Sequence, residues 1–336
     1  MKTYNVAVVG ATGLVGREMI KILEERDFPV KKLSLLASDK SAGTKILFKS
    51  EEIKVESFHK DFFNQVDIAL FSAGGDVSKK LVPIAVSKGT VVVDNSSYFR
   101  MHNDVPLVIP EVNPEKIFEH DGIIANPNCS TIQMIAALAP IHKISKITKI
   151  VVSTYQAVSG SGKAAIDELY NQTKEVLEEK KISRVVYPHQ IAFNAIPHID
   201  TFESNGFTKE EMKMVHETRK ILNDENIKIS PTCVRIPAFF GHAESVYFEL
   251  GKRLELSKIK EIIRNEPNLK LIDDIFNNKY PLQIMTEYYD EVMVGRVRKD
   301  LHNENGYNIW VVANNLRKGA ALNAVQIAEK LIQRDI

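Results

Sequence analysis

Asn126-Pro127-Asn128-Cys129-Ser130-Thr131 holds one of only two cysteines in 336 residues. The apolar run Ile123-Ile124-Ala125 before it reads as a strand, and Ile132, Ile135, Ala136 and Leu138 after it keep a helical period. Ser130 or Thr131 can cap that helix. Cys129 is therefore expected at a strand-to-helix turn. Unpaired N–H groups and the positive end of the helix dipole favour a thiolate there and can hold an oxyanion. A buried structural cysteine is the plain alternative, and the fixed Asn-Pro-Asn loop argues against it. Cys233 has no turn or helix start beside it and reads as a small core residue. Arg235 lies in an apolar strand, where an unpaired charge is costly, so a bound anion or an internal carboxylate is expected. His242 follows a glycine and precedes an alternating strand at residues 245–250. It is either structural or a proton shuttle for the thiol.

These residues need a scaffold, and the first third of the chain suggests one. Asn5-Val6-Ala7-Val8-Val9 is a short apolar strand of the buried parallel kind. It runs into Gly10-Ala11-Thr12-Gly13-Leu14-Val15-Gly16 and then a helix carrying Met19, Ile20, Ile22 and Leu23. Strand, glycine loop and helix is the context of a dinucleotide fingerprint, here as GxxGxxG. Gly10 and Gly13 would let the backbone turn and approach a pyrophosphate at the helix N-terminus, and Gly16 would allow close helix–strand packing. After a second strand, at residues 32–37, come Ser38-Asp39-Lys40-Ser41. Asp39 alone would suit NAD, whereas Lys40 with two serines suits a 2′-phosphate and so NADP. Further strands, at residues 66–71 and 90–93, end in Ser72-Ala73-Gly74-Gly75 and in Asp94-Asn95-Ser96-Ser97-Tyr98-Phe99-Arg100. Ligands bind outside such strand ends in open α/β sheets, and Arg100 there is a candidate anion clamp.

Beyond Cys129 the pattern changes to mixed strands and helices, an α+β character on which a partner subunit could pack. Residues 147–154 form a long β-rich run that leads into Tyr155-Gln156-Ala157-Val158-Ser159-Gly160-Ser161-Gly162-Lys163. A helix over 208–222 opens with a capping box from Thr208 to Glu211. Glu210, Lys213, Glu217 and Lys220 share one of its faces, either as a solvated salt-bridge stripe or as a charged face turned into a site that reads a zwitterion. A strand at residues 307–313 and a final helix over about 319–333 close the chain, and the helix is expected to return to the first domain. The fold class is thus α/β, with a Rossmann-like domain of residues 1–128 plus 315–336 and an α+β domain of residues 129–314.

Composition bounds the function classes. With 44 basic and 43 acidic residues the net charge is +1, which gives no case for nucleic acid or an anionic membrane surface. Two cysteines make no disulfide framework and suit a reducing compartment. The start runs straight into a strand, so no signal peptide is expected, and no apolar run approaches the roughly 20 residues of a membrane span. A cytoplasmic protein is expected, with no metal implied.

A thiol at a helix start, a nucleotide loop and a distant histidine suggest thiolate attack on a carbonyl or acyl phosphate, followed by hydride transfer. Over essentially its whole length the chain resembles bacterial-type aspartate-semialdehyde dehydrogenases. The likeness rests on Val8–Gly16 as a block, Ser72-Ala73-Gly74-Gly75, Asp94-Asn95-Ser96-Ser97, Pro110-Glu111-Val112-Asn113, the Cys129 hexapeptide, residues 156–162, and Arg235 with His242 seven residues later. The resemblance implies reduction of L-aspartyl 4-phosphate by NADPH to L-aspartate 4-semialdehyde and phosphate, in lysine, threonine, methionine and diaminopimelate biosynthesis. It implies Cys129 as nucleophile through an acyl-thioester, His242 as acid/base, Gln156 as orienting group and Arg235 on the substrate α-carboxylate. It further implies Glu210 on the α-ammonium, and Lys213, Arg100 and Asn128 on phosphate. The cofactor would be held by Gly10, Thr12, Gly13, Leu14, Val15, Lys40, Ser41, Ser72, Ser159, Gly160 and Asn315. Where relatives often carry Arg, this chain has Asp39-Lys40, which leaves NAD use open. Glu217 and Lys220 repeat the spacing of Glu210 and Lys213 and are the alternative pair. The resemblance implies a homodimer or homotetramer. The alternatives are an N-acetyl-γ-glutamyl-phosphate reductase, whose substrate has no free ammonium, and a catalytically silent nucleotide-binding homologue.

Overall fold

The computed structural model describes residues 2–333. The chain falls into two compact units. One comprises the residues up to Asn128 and those from Ala320 onward, and the other is Cys129–Gly319.

The first unit is a seven-stranded sheet. Its strands are β1 (Tyr4–Val9), β2 (Val30–Leu36), β3 (Lys45–Phe48), β4 (Glu51–Glu56), β5 (Ile68–Phe71), β6 (Val91–Asp94) and β7 (Ile123–Ala125), in the order β3-β4-β2-β1-β5-β6-β7. Every pairing is parallel except the β3–β4 hairpin. Central strands buried on both faces need continuous apolar runs, and β5 (Ile-Ala-Leu-Phe) is buried at all four positions. Helices α1 (Leu14–Glu25) and α2 (Gly75–Ser87) follow β1 and β5. The expected return of the C-terminal helix occurs: α7 (Leu322–Ile332) packs on α1. The return begins at Ala320 rather than at residue 315. Asn315 stays with the second unit because its amide oxygen accepts from the Gly241 N–H at 2.9 Å and its amide nitrogen reaches Ser159 Oγ at 3.0 Å.

The second unit begins with α3 (Cys129–Ile144). This helix is apolar almost all round, and Ser130 through Ala139 are all buried. Such a helix is a core element, and each buried Ile or Leu on it contributes about 1.5–3 kcal/mol. Strands β8 (Ile147–Gln156), β9 (Lys228–Arg235), β10 (His242–Leu250), β11 (Leu269–Leu271), β12 (Val292–Lys299) and β13 (Gly306–Ala313) form a sheet in the order β11-β12-β13-β10-β8-β9. Helices α4 (Lys163–Leu177), α5 (Lys209–Leu222) and α6 (Leu256–Asn265) complete the unit, and α3 packs against α5, α6 and the middle of the sheet. Pro231 is tolerated in β9 because that strand is an edge. The Thr208–Glu211 capping box forms, and Glu211 also accepts the Cys233 N–H at 3.0 Å, which ties α5 to β9. Among the described residues no helix is long and apolar enough to cross a membrane.

Candidate active site

Register in the second sheet does most of the positioning. Gln156 on β8 is opposite Arg235 on β9 and His242 on β10, and His242 is opposite Ala313 on β13. Strand side chains alternate faces, so residues paired in register share one face. Arg235, Gln156 and His242 therefore form a single cross-strand row at one end of the sheet. A second row lies one step in: Cys233, Thr154, Glu244 and Val311. All of these residues are buried.

Gln156 is locked at both ends. Its Oε1 accepts from the Thr154 hydroxyl at 3.0 Å and its Nε2 donates to Glu210 Oε1 at 3.1 Å. Glu210, in the first turn of α5, also accepts from Lys213 Nζ at 3.1 Å, and Lys213 donates to Asp200 Oδ2 at 2.9 Å. Burial alone would lower the Lys213 pKa, but the Glu210 and Asp200 carboxylates more than offset it and raise it to about 12. The α5 face is not a solvated stripe: Glu210 is 6% exposed and Glu217 1%. Of the two candidate pairs, Glu210 bonds Gln156 directly and Lys213 bonds Glu210. Glu217 is seven residues further along, about 10 Å down the helix axis.

Arg235 is buried, donates from Nη1 to the Ala157 carbonyl at 2.7 Å, and has no partner for Nε among the described residues. No carboxylate of the described residues lies within ion-pair distance of it. The Ala157 N–H donates to His242 Nδ1 at 3.1 Å. That places the ring proton of neutral His242 on Nε2, which has no partner among the described residues. Burial, and next the Arg235 guanidinium, lower the His242 pKa to about 3. Gly160 marks where the two groups converge. A Cβ there would stand 2.9 Å from Arg235 Nη1 and 3.3 Å from His242 Nε2. Ser159, beside it, pairs with Asn315.

Cys129 is the first residue of α3 and is partly exposed. The turn Arg317–Ala321 carries π-type bonding, and a Cβ on its Gly319 would come within 2.9 Å of Cys129 Cβ. Cys233 is a core thiol: it is fully buried, its pKa is pushed up by burial first and then by Glu210, and its Sγ lies 3.8 Å from Met214 Sδ.

In the first unit the glycine loop is shaped for close approach. Gly10 has φ +86°, and a Cβ on it would meet the Ser72 carbonyl oxygen at 2.4 Å. A Cβ on Gly16 would meet the Gly10 carbonyl at 2.2 Å. Gly13 caps α1 without a side chain, and the first turn carries no acidic residue. Thr12, Leu14 and Val15 line this turn. Such a cradle fits a dinucleotide pyrophosphate. Lys40 and Ser41 sit in a short 3-10 turn (Asp39–Ser41) just past the end of β2, the position of a ribose reader. Arg100 is buried and donates to the Asn95 carbonyl at 2.9 Å, and Asn128 is buried. Asn126, just upstream, is pinned by Asn95, Ala320 and Asn323.

Comparison with known proteins follows both halves. Residues 5–120 match the family model described as semialdehyde dehydrogenase, NAD binding domain, and residues 138–318 match the semialdehyde dehydrogenase, dimerisation domain. The chain is 56% identical to the aspartate-semialdehyde dehydrogenase of Aquifex aeolicus, covering 99% of each chain, and 51% identical to that of Bacillus subtilis, covering 97% of each. The chain belongs to the aspartate-semialdehyde dehydrogenase family. A Vibrio cholerae family member, aspartate semialdehyde dehydrogenase II, was solved in complex with ASA. It superposes with a TM-score of 0.96 at 48% identity, covering 100% of each chain. The α/β architecture expected from the sequence is thus that of the family.

Sequence reasoning missed four members of the site. Thr154 orients Gln156, Asp200 holds Lys213, Gly319 abuts Cys129, and Glu244 lies behind His242. None stands in a motif. Their roles exist only once strands far apart in sequence are in register.

Proposed function

We propose that the protein reduces L-aspartyl 4-phosphate to L-aspartate 4-semialdehyde and phosphate, reversibly, with NADPH. The observation that carries this reading is the buried Arg235, with no carboxylate partner among the described residues, beside a Gln156 that is bonded to Glu210. A buried guanidinium needs an anion, and a carboxylate suits its fork bidentately. Glu210, bonded to Gln156 of the same row, suits a free ammonium. An α-amino acid presents both charges. An N-acetylated substrate would leave Glu210 without its ligand.

In this reading the Cys129 thiolate, favoured by the N-terminus of α3, attacks the acyl phosphate carbon. Phosphate leaves, held by Arg100, Asn128 and Lys213, with Lys213 shifting from Asp200 to do so. The thioester stays on Sγ. NADP(H), when bound, supplies the hydride. His242 enters through its Nε2–H, which donates a hydrogen bond to the oxyanion of the thiohemiacetal; collapse of that oxyanion to the aldehyde releases the Cys129 thiolate with no proton left over. Helix N–H groups stabilise the same oxyanion. Gly10, Thr12, Gly13, Leu14, Val15, Ser72, Ser159, Gly160 and Asn315 would hold the cofactor, with Lys40 and Ser41 on a 2′-phosphate. Asp39 beside Lys40 predicts some NAD use. The protein acts as a homodimer or homotetramer through the second unit.

The test is an assay of the reverse reaction with phosphate, comparing aspartate semialdehyde and N-acetylglutamate semialdehyde, each with NADP and with NAD. Turnover with aspartate semialdehyde and a preference for NADP are expected. A preference for the acetylated substrate, or turnover without any acyl acceptor, would overturn the reading.

A further inference from the structure

Two residues beyond His242, on the same face of β10, stands Glu244, which is 0% exposed. Neither of its carboxyl oxygens has a hydrogen-bond partner among the described residues. The polar group set against it is the amide of Gln133 on α3, whose Nε2 is likewise unpartnered. Gln133 follows Cys129 by four residues, so it lies one helical turn below the thiol and on the same side of α3. One pair of buried polar side chains therefore bridges the helix that starts with Cys129 and the strand that starts with His242. These two elements pack directly on each other.

Packing alone does not account for that pair. Leaving a buried polar group without a good partner costs about 1–3 kcal/mol, and an apolar pair of the same volume would avoid the cost. Burial raises the Glu244 pKa well above the usual carboxylate value, with the Gln133 amide acting the other way. Burial therefore favours the neutral acid form of Glu244. A neutral carboxyl and a primary amide are complementary: the O–H donates to the amide oxygen and the amide N–H returns to the carboxyl oxygen. Set against each other, the two side chains can form this two-bond ring.

We propose that Glu244 and Gln133 form a positioning pair that fixes Cys129 relative to His242. The proposal rests on the roles given above to Cys129 and His242. It assigns neither Glu244 nor Gln133 any contact with substrate. Because an amide can replace a neutral carboxyl in the ring, Glu244→Gln should preserve it. Glu244→Leu and Gln133→Leu should abolish it while leaving a well-packed core.

The experiment uses the full chain and follows three signals: kcat, KM for aspartate semialdehyde, and the rate of Cys129 alkylation by iodoacetamide as a function of pH. For Glu244→Leu, kcat should fall about 10-fold or more with KM little changed, since a misplacement of about 1 Å is enough to cost that much. The pH profile of alkylation should shift with it. Glu244→Gln should restore kcat to within about threefold of the parent, as expected when a neutral hydrogen-bonding group is kept. Gln133→Leu should reproduce the Glu244→Leu phenotype, and it carries the test if Glu244→Leu does not fold. Parental kcat and alkylation in folded leucine variants would overturn the proposal, as would Glu244→Gln as impaired as Glu244→Leu. Failure of the mechanism itself would show differently, as turnover persisting in Cys129→Ala.

Discussion

The glycine loop of the first unit and the cross-strand row of the second are built from opposite materials. The loop is a backbone site, and its residues matter for what they lack. Gly10 and Gly16 are required because a Cβ would strike a carbonyl oxygen at 2.4 and 2.2 Å. The row is a side-chain site: Arg235, Gln156 and His242 are large, polar and buried, and sheet register sets them side by side. A backbone site recognises a generic feature, a phosphate, and tolerates varied side chains nearby. A buried side-chain row recognises a particular charge pattern, but each member depends on its neighbours. Thr154 holds Gln156, Ala157 holds both Arg235 and His242, and Asp200 holds Lys213.

If this contrast holds, damage to the row should appear in the chemical step and damage to the loop in cofactor binding. The largest effect is expected for His242→Ala, which removes the hydrogen-bond donor proposed for the oxyanion. Steady-state kcat should fall about 10²–10³-fold with cofactor affinity unchanged, as read by fluorescence titration. A loss confined to cofactor binding would erase the distinction. Gly10→Ala should do the reverse. It forces a Cβ into the Ser72 carbonyl at positive φ, so stability should fall by about 1–3 kcal/mol and the NADP Kd should rise. kcat at saturating cofactor should stay near that of the parent. Equal unfolding midpoints for parent and variant would show that the loop is not under this constraint.

The smallest effect is a pH dependence within the row. Glu244 stays neutral in the folded chain well above the value near 4.5 at which it ionises when unfolded. Above that pH the folded state holds the extra proton, so stability falls as pH rises, by up to about 1.4 kcal/mol per pH unit. Glu244→Gln removes this loss. Its advantage over the parent in urea unfolding should be absent at acid pH and grow from about pH 4.5 upward. His242 has the opposite sign: its folded pKa near 3 lies below its unfolded 6.5, so stability is lost as pH falls below about 6.5. Two groups on one strand face thus pull in opposite directions. An advantage of Glu244→Gln that is constant with pH would contradict the buried neutral acid.

The contrast also explains which parts of the molecule were legible in the sequence. Backbone demands are written in residue types, so the Gly10–Gly13–Gly16 spacing announced the loop. The Thr208–Glu211 cap and the helix start at Cys129 were equally local. The row was not legible, because nothing near residue 156 says that it pairs with residues 235 and 242. Family likeness named its residues, and the structure supplied the reason that they meet. In the region of residues 251–306, α6, β11 and β12 gave no reading. In β12 the register slips between Gly295 and Arg298, and Arg296 has φ +53°, which breaks the alternation that would reveal a strand. The face of α5 looked solvated from its charges. It is buried because Glu210 and Glu217 turn toward the core of the second unit.

The central claim is that the row and the α3 terminus serve covalent chemistry on Cys129. It is tested most directly by mixing the enzyme with aspartate semialdehyde and NADP in the absence of phosphate and following NADPH on the first turnover. The account predicts a burst of about one NADPH per chain, the signature of a trapped acyl-enzyme, with the acyl group on the Cys129 peptide by mass spectrometry and neither signal in Cys129→Ala. A full burst in Cys129→Ala, or an adduct on Cys233, would contradict it.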